Sequence, residues 1–281
     1  MIRDSIYISF HNTLDQIGGA VYIENPTLAI SMENVGFSDC STTQHSGAFY
    51  LQGLSLTIKN ICGYMCEAIN NDHQCFCVQS MNSAVDNILE SIGVAYCGMA
   101  NRGHSALTLY GDAIYKAKYI NSSYNYNHFS TSSFGACLRV FYSTQYFIIQ
   151  FFNFCYSTGL DIINTHNMPK NCQFTSGNFY NCSSDSIFQF RGTHFMSFVY
   201  FGLMHCTGIY FKIGTSKPSA DHCVTLNNCV FDVIPTTNFY TGSFAMNGCS
   251  TQSPFSTFDL MSEILLENCP LPSRYFTASS A

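Results

Sequence analysis

An all-β solenoid, a parallel β-helix of about nine coils, follows from three observations on this 281-residue sequence. A short apolar alternation recurs along it. A closing signature that ends in Cys or Asn follows each recurrence at a nearly constant distance. The composition is apolar and aromatic, with only 10 % charged residues, against a usual share of about 25 %.

The opening strands come first. Apolar pairs at i and i+2 occur at Val21/Ile23, Phe49/Leu51, Phe76/Val78, Leu107/Leu109, Leu138/Val140, Phe188/Phe190, Phe211/Ile213 and Phe244/Met246, with a weaker member at Ile162 and Asn164. The residue between is often polar or aromatic, as at Tyr22, Tyr50, Thr108, Arg139, Gln189 and Lys212. Period-2 alternation marks strands with one buried face. Successive strands start 28, 27, 31, 31, 24, 26, 23 and 33 residues apart. A second apolar run follows each, as in Leu54 to Ile58.

The closures come next: an apolar residue, two variable ones, then Cys or Asn. They end at Cys40, Cys97, Asn127, Cys155, Cys182, Cys206 and Cys269, with Cys66 and Asp232 as departures. From opening strand to closure the distance is 17–21 residues; from closure to the next strand it is 5–12. One part of the coil therefore has a fixed cross-section and one corner absorbs insertions, as in a solenoid. Helical repeats need 3.6-residue periodicity, leucine-rich repeats a Leu-x-x-Leu-x-Leu frame, and propeller blades four strands; none fits.

Gly18-Gly19-Ala20-Val21 and Ser46-Gly47-Ala48-Phe49, with closures such as Phe37 to Cys40, resemble the GGA-I and F-x-x-N repeats of polymorphic outer-membrane proteins. They are similar also to the β-helix surface proteins of trichomonad protists, where Cys often takes the Asn position. Later coils depart from the Gly motif, at Ser105-Ala106-Leu107, Gly135-Ala136-Cys137, Asp161-Ile162 and Ser186-Ile187. The resemblance implies a right-handed, pectin-lyase-like β-helix, surface exposure, and adhesion or host contact. It implies no catalytic residues.

Many of the fifteen cysteines fall in the closure column, which predicts an inward ladder of reduced thiols acting as small apolar groups. A disulfide set is the competing reading. Cys62, Cys66, His73, Cys75 and Cys77 form the densest local cluster, without a standard zinc spacing. No metal or cofactor site is expected.

An enzyme on this fold needs carboxylates stacked on adjacent coils. The nearest constellation is Asp161, His166, Asp185, Arg191 and His194; Asp161 and Asp185 are one coil apart in sequence. Turn residues are the plainer reading, and no catalytic residue is assigned. Eleven Lys and Arg against seventeen Asp and Glu, net −6, argue against nucleic acid. The most apolar stretch, Phe141 to Cys155, is interrupted by Ser143, Thr144, Gln145, Gln150 and Asn153, so no membrane insertion is expected.

Residues 1–281 are expected to form one domain, with an incomplete first coil over 1–17 and a tail over 270–281. Met1 to Tyr7 lacks the apolar core of a signal peptide, and the first coil leaves no room for a cap over an open sheet edge. These features suggest a part of a longer surface protein or a degenerate copy of that family. Asn121-Ser122-Ser123 and Asn181-Cys182-Ser183 match glycosylation sequons. The expected function is a non-enzymatic, adhesin-like binding scaffold at the cell surface. Its partners would be host or self proteins or glycans, meeting the Tyr-bearing strand faces. A carbohydrate-active lyase or hydrolase is the alternative.

Overall fold

The computed structural model describes residues 1–12, 17–69, 75–98, 105–126, 135–141, 146–166, 172–191, 196–213, 224–233, 237–238, 244–251, 269 and 271. These form a parallel β-solenoid with no helix among them. Aliphatic, aromatic and Thr-rich runs with period-2 burial cannot close a helix face, so each run extends and pairs with the next coil.

Three ladders run along the axis. The opening ladder stacks Val21, Phe49, Phe76, Leu107, Leu138, Ile163, Phe188, Phe211 and Thr237 in register. The long ladder carries the second run of each coil, from Ile2–Ile8 through residues 29–38 and 55–64, Asp86–Ala95, Ile114–Ser123, Tyr146–Cys155, Cys172–Tyr180 and Met196–Met204. A short corner ladder pairs His11–Asn12, Ser41–Thr42 and Glu67–Ala68.

Each long strand bends once at a residue with positive φ: Asp4, Asn34, Asn60, Ser91, Tyr119, Phe151, Ser176 and Tyr200, all between 50° and 58°. Asn and Asp enter this region most easily among non-glycine residues. Side-chain amides tie the column together, from Asn60 to Asn34 at 2.9 Å and from Asn34 to Asp4 at 2.8 Å.

Inside, Phe37, Phe49 and Phe76 stack, then Phe152, Phe154, Phe174, Phe179, Phe188, Phe198 and Phe211, all at most 1 % exposed. Burying each such ring contributes roughly 1.5–3 kcal/mol. Gly19 and Gly47 mark the corner where the third ladder turns into the opening strand. A Cβ on Gly47 would lie 2.3 Å from the Glu67 nitrogen, and one on Gly19 would lie 1.8 Å from the Gly47 oxygen. The Gly-Ala pair of the sequence motif is thus a place where backbones touch.

Some expected registers shift. Phe244 and Met246 belong to the long ladder, opposite Val224 and Leu226, and Thr237–Asn238 takes the opening position. Ile163 rather than Ile162 holds the inward register; both are buried. Asn127 lies outside the described residues, and Asn125 takes the closure column. Ser157 replaces Cys155 there, because Cys155 pairs one rung with Tyr180, two residues before Cys182. Cys269 is not a stacked thiol: it is disulfide-bonded to Cys62, 207 residues away.

Candidate functional site

The closure column builds the first feature. Cys40, Cys66 and Cys97 point inward on successive coils, all at most 1 % exposed, and the Cys75 thiol from the opening corner joins them. The Cys40, Cys66 and Cys97 thiols each donate to the carbonyl two residues back, of Ser38, Tyr64 and Ala95, at 3.4, 3.4 and 3.5 Å. Burial pushes the Cys75 thiol up, as it does at Cys182, so Cys75 and Cys182 stay neutral and pack as apolar atoms. Cys137, pushed up to about 12 by burial, donates to the Ser122 carbonyl at 3.0 Å. At the next closures Asn125 accepts the Cys97 amide at 2.9 Å, and Ser157 accepts the Asn125 amide at 3.1 Å.

Of the local Cys/His cluster, only Cys66 and Cys75 come together among the described residues. Cys62 is in the disulfide, Cys77 lies on the strand face opposite its neighbour Phe76, and His73 is outside the described residues. Among the described residues no three His, Cys, Asp or Glu side chains are placed to hold a metal ion.

The residue before each closure is the second feature. Asp39, Met65, Tyr96, Tyr124, Tyr156, Asn181 and His205 all have φ between 51° and 57°. This turns their side chains outward at one edge. Tyr96, Tyr124 and Tyr156 stack there, with ring centroids 4.8 Å apart and planes within 7°. Tyr64 and Tyr180 meet the ends of the stack edge-on at 5.4 and 5.5 Å, and His205 meets Tyr180 at 5.4 Å. Tyr96 and Tyr124 are 38 % and 37 % exposed. The inner ring faces are occupied by neighbours, so the row offers ring edges and phenol oxygens to a ligand.

The Tyr-bearing opening strand is different. Tyr22 stacks on Tyr50 at 5.5 Å, but the same outer column continues as Cys77, Thr108, Arg139, Asn164 and Gln189, all buried. The Tyr50 hydroxyl donates to Gln79 at 2.5 Å.

On the long ladder a groove of about 330 Å³ is lined by Ile88, Glu90, Lys116, Lys118, Ile148 and Gln150, among others. Charge alternates across its coils. Arg3 pairs with Glu33, Lys59 with Glu90 at 2.9 Å, and Lys116 with Asp86. The Lys118 ammonium lies 4.6 Å from the Tyr119 ring and 5.6 Å from that of Phe151, a cation–π seat.

Asp161 and Asp185, one coil apart in sequence, do not stack. Asp161 is 1 % exposed, and its neighbour across the coil is Ser186, which donates to it; Asn164 donates to its other oxygen at 3.1 Å and to Gln189 at 2.8 Å. Asp185 is exposed, one residue off that register. The backbones of His166 and Arg191 pair at the end of this ladder, and His194 lies outside the described residues. Asp161 is therefore held as the acceptor of a buried polar network.

Sequence reasoning missed the tyrosine row. Its signal is an aromatic residue directly before the closure, at Tyr96-Cys97, Tyr124-Asn125 and Tyr156-Ser157. Reading the fourth and fifth closures two residues from their true places concealed it. No protein-family model matches this chain, and neither a curated protein nor a solved structure shows significant similarity to it.

Proposed function

We propose that this chain is a non-enzymatic binding scaffold of adhesin-like type that works in an oxidising, extracellular or surface setting. The observation that carries it is the row Tyr64, Tyr96, Tyr124, Tyr156, Tyr180 and His205. It repeats one chemistry once per coil on a rigid edge, which suits a linear partner such as a glycan or an extended protein segment. The groove beside Lys116 and Lys118 adds a mixed apolar and charged surface on the long ladder.

The setting is supported by the Cys62–Cys269 disulfide, a bond that persists mainly in secreted and surface proteins. The likeness of the Gly-Gly-Ala and Phe-x-x-Cys repeats to surface β-helix families points the same way. Of the two sequons, Asn181 is exposed at the edge, whereas Asn121 is 1 % exposed. Among the described residues no helix is long and apolar enough to cross a membrane.

A glycan-array screen, run with reducing-sugar and unsaturated-product assays on the same polysaccharides, tests this reading. Binding without turnover, weakened in Tyr96→Ala and Tyr124→Ala, is the expected result. Turnover of any of these polysaccharides overturns it in favour of a carbohydrate-active enzyme.

A further inference from the structure

We infer that Tyr96, Tyr124 and Tyr156 form an oxidative cross-linking site, at which a haem peroxidase and hydrogen peroxide join neighbouring coils through dityrosine. This goes beyond the binding role and does not depend on it.

Dityrosine needs two phenols that an oxidant can reach and that stay together long enough for two radicals to meet. The stack supplies both. Tyr96 and Tyr124 are more than one-third exposed, and Tyr156 is half-buried. Each pair is nearly parallel at 4.8 Å, set by the coil repeat. The backbone on either side of Tyr96 is bound across coils, with Ala95 accepting from the Met65 amide at 3.1 Å and Cys97 from the Tyr126 amide at 3.2 Å, and the Tyr156 amide donates to Tyr180 at 2.9 Å. Among the described residues the other tyrosine pairs are farther apart and less parallel. Tyr64 and Tyr180 meet the stack edge-on, with planes at 65° and 74°. Tyr22 and Tyr50 are stacked, but at 5.5 Å and with planes at 27°.

The reaction balances. The peroxidase removes one electron from each of two phenols, and each phenolic proton goes to water. The two radicals couple through a bond between ring carbons ortho to the oxygens. The hydrogens on those carbons then shift to restore both hydroxyls. One hydrogen peroxide is reduced to two waters for each link, and the chain loses two hydrogens. The half-exposed rings can swing out of the stack into the twisted biaryl, and the product staples adjacent coils.

The test treats dilute, monomeric full chain with a haem peroxidase and hydrogen peroxide. Dityrosine fluorescence is read, and linked peptides are mapped by mass spectrometry. Tyr124 is common to both links, so Tyr124→Phe is expected to lose most of the signal. Tyr96→Phe and Tyr156→Phe should each remove one link and leave the other. Phenylalanine keeps the stacking, and circular dichroism of each variant confirms that the solenoid is intact. The linked chain should also melt at a higher temperature. A yield unchanged in Tyr124→Phe, or linked peptides that map elsewhere or between chains, overturns the inference.

Discussion

Placing a tyrosine at φ near 55° works against the backbone. The left-handed region costs a non-glycine residue roughly 1–2 kcal/mol. Asp39 and Asn181 occupy the same column with residues suited to it, while Tyr96, Tyr124 and Tyr156 do not. Stacking offsets the cost, at about 0.5–1.5 kcal/mol per aromatic pair, and Tyr124 has two such partners. A further residue at this corner bears on pH. Burial raises the Glu67 carboxyl above its ordinary range, the nearby Asp39 raises it further, and His11 opposes both. A carboxyl raised on folding is harmless while protonated and costs stability as pH climbs through its folded value. Glu67→Gln is therefore expected to be more stable than the parent at pH 7, by a few tenths of a kcal/mol for so partly exposed a group. The advantage should vanish below about pH 4. Urea midpoints at the two pH values check this; an equal gain at both would remove the electrostatic explanation.

Two elements meet at the glycine corner, where the short third ladder hands the chain to the next opening strand. Gly47 sits against the backbone of Glu67 on one side, and its own oxygen faces Gly19 on the other. Any side chain must push whole strands apart, because no flexible group lies in the way. Gly47→Ala is expected to lose roughly 2–4 kcal/mol, the scale of a severe backbone or packing fault. The loss should appear as a lower denaturant midpoint at unchanged m-value. The opening strands themselves were largely legible, since Val21, Phe49, Phe76, Leu107, Leu138, Phe188 and Phe211 stack in register. The exception at Ile162 has a plain cause: Ile162 and Ile163 are both buried and equally apolar, so alternation does not choose between them.

Over the whole molecule, stability is additive along the axis, because each coil touches only its neighbours. The Cys62–Cys269 bond breaks that rule by joining positions 207 residues apart. It holds Leu271, 4 % exposed, in a buried position. Closing so long a loop restricts the unfolded chain and contributes about 2–5 kcal/mol. Cys62→Ser, or a reductant that leaves the fold assembled, is expected to lower the melting temperature. An unchanged melting temperature would mean that residues 269–271 do not secure the coils. The buried thiols of Cys40, Cys66, Cys75 and Cys97 lie in the closed core and are expected to resist alkylation until the chain unfolds.

Local patterning, read alone, determined the class of fold, the coil period and most of the inward columns. Period-2 alternation and close-packed glycine are properties of short segments, and they survive translation from sequence to structure. The assembled coils decided the register within each column, the outward tyrosine row, the dispersal of Asp161 and Asp185, and the partner of Cys269. The reason is physical. A slip of two residues keeps every side chain on its own face, so Asn125 and Asn127, or Cys155 and Ser157, satisfy the same pattern. Only the hydrogen bonds from coil to coil distinguish them.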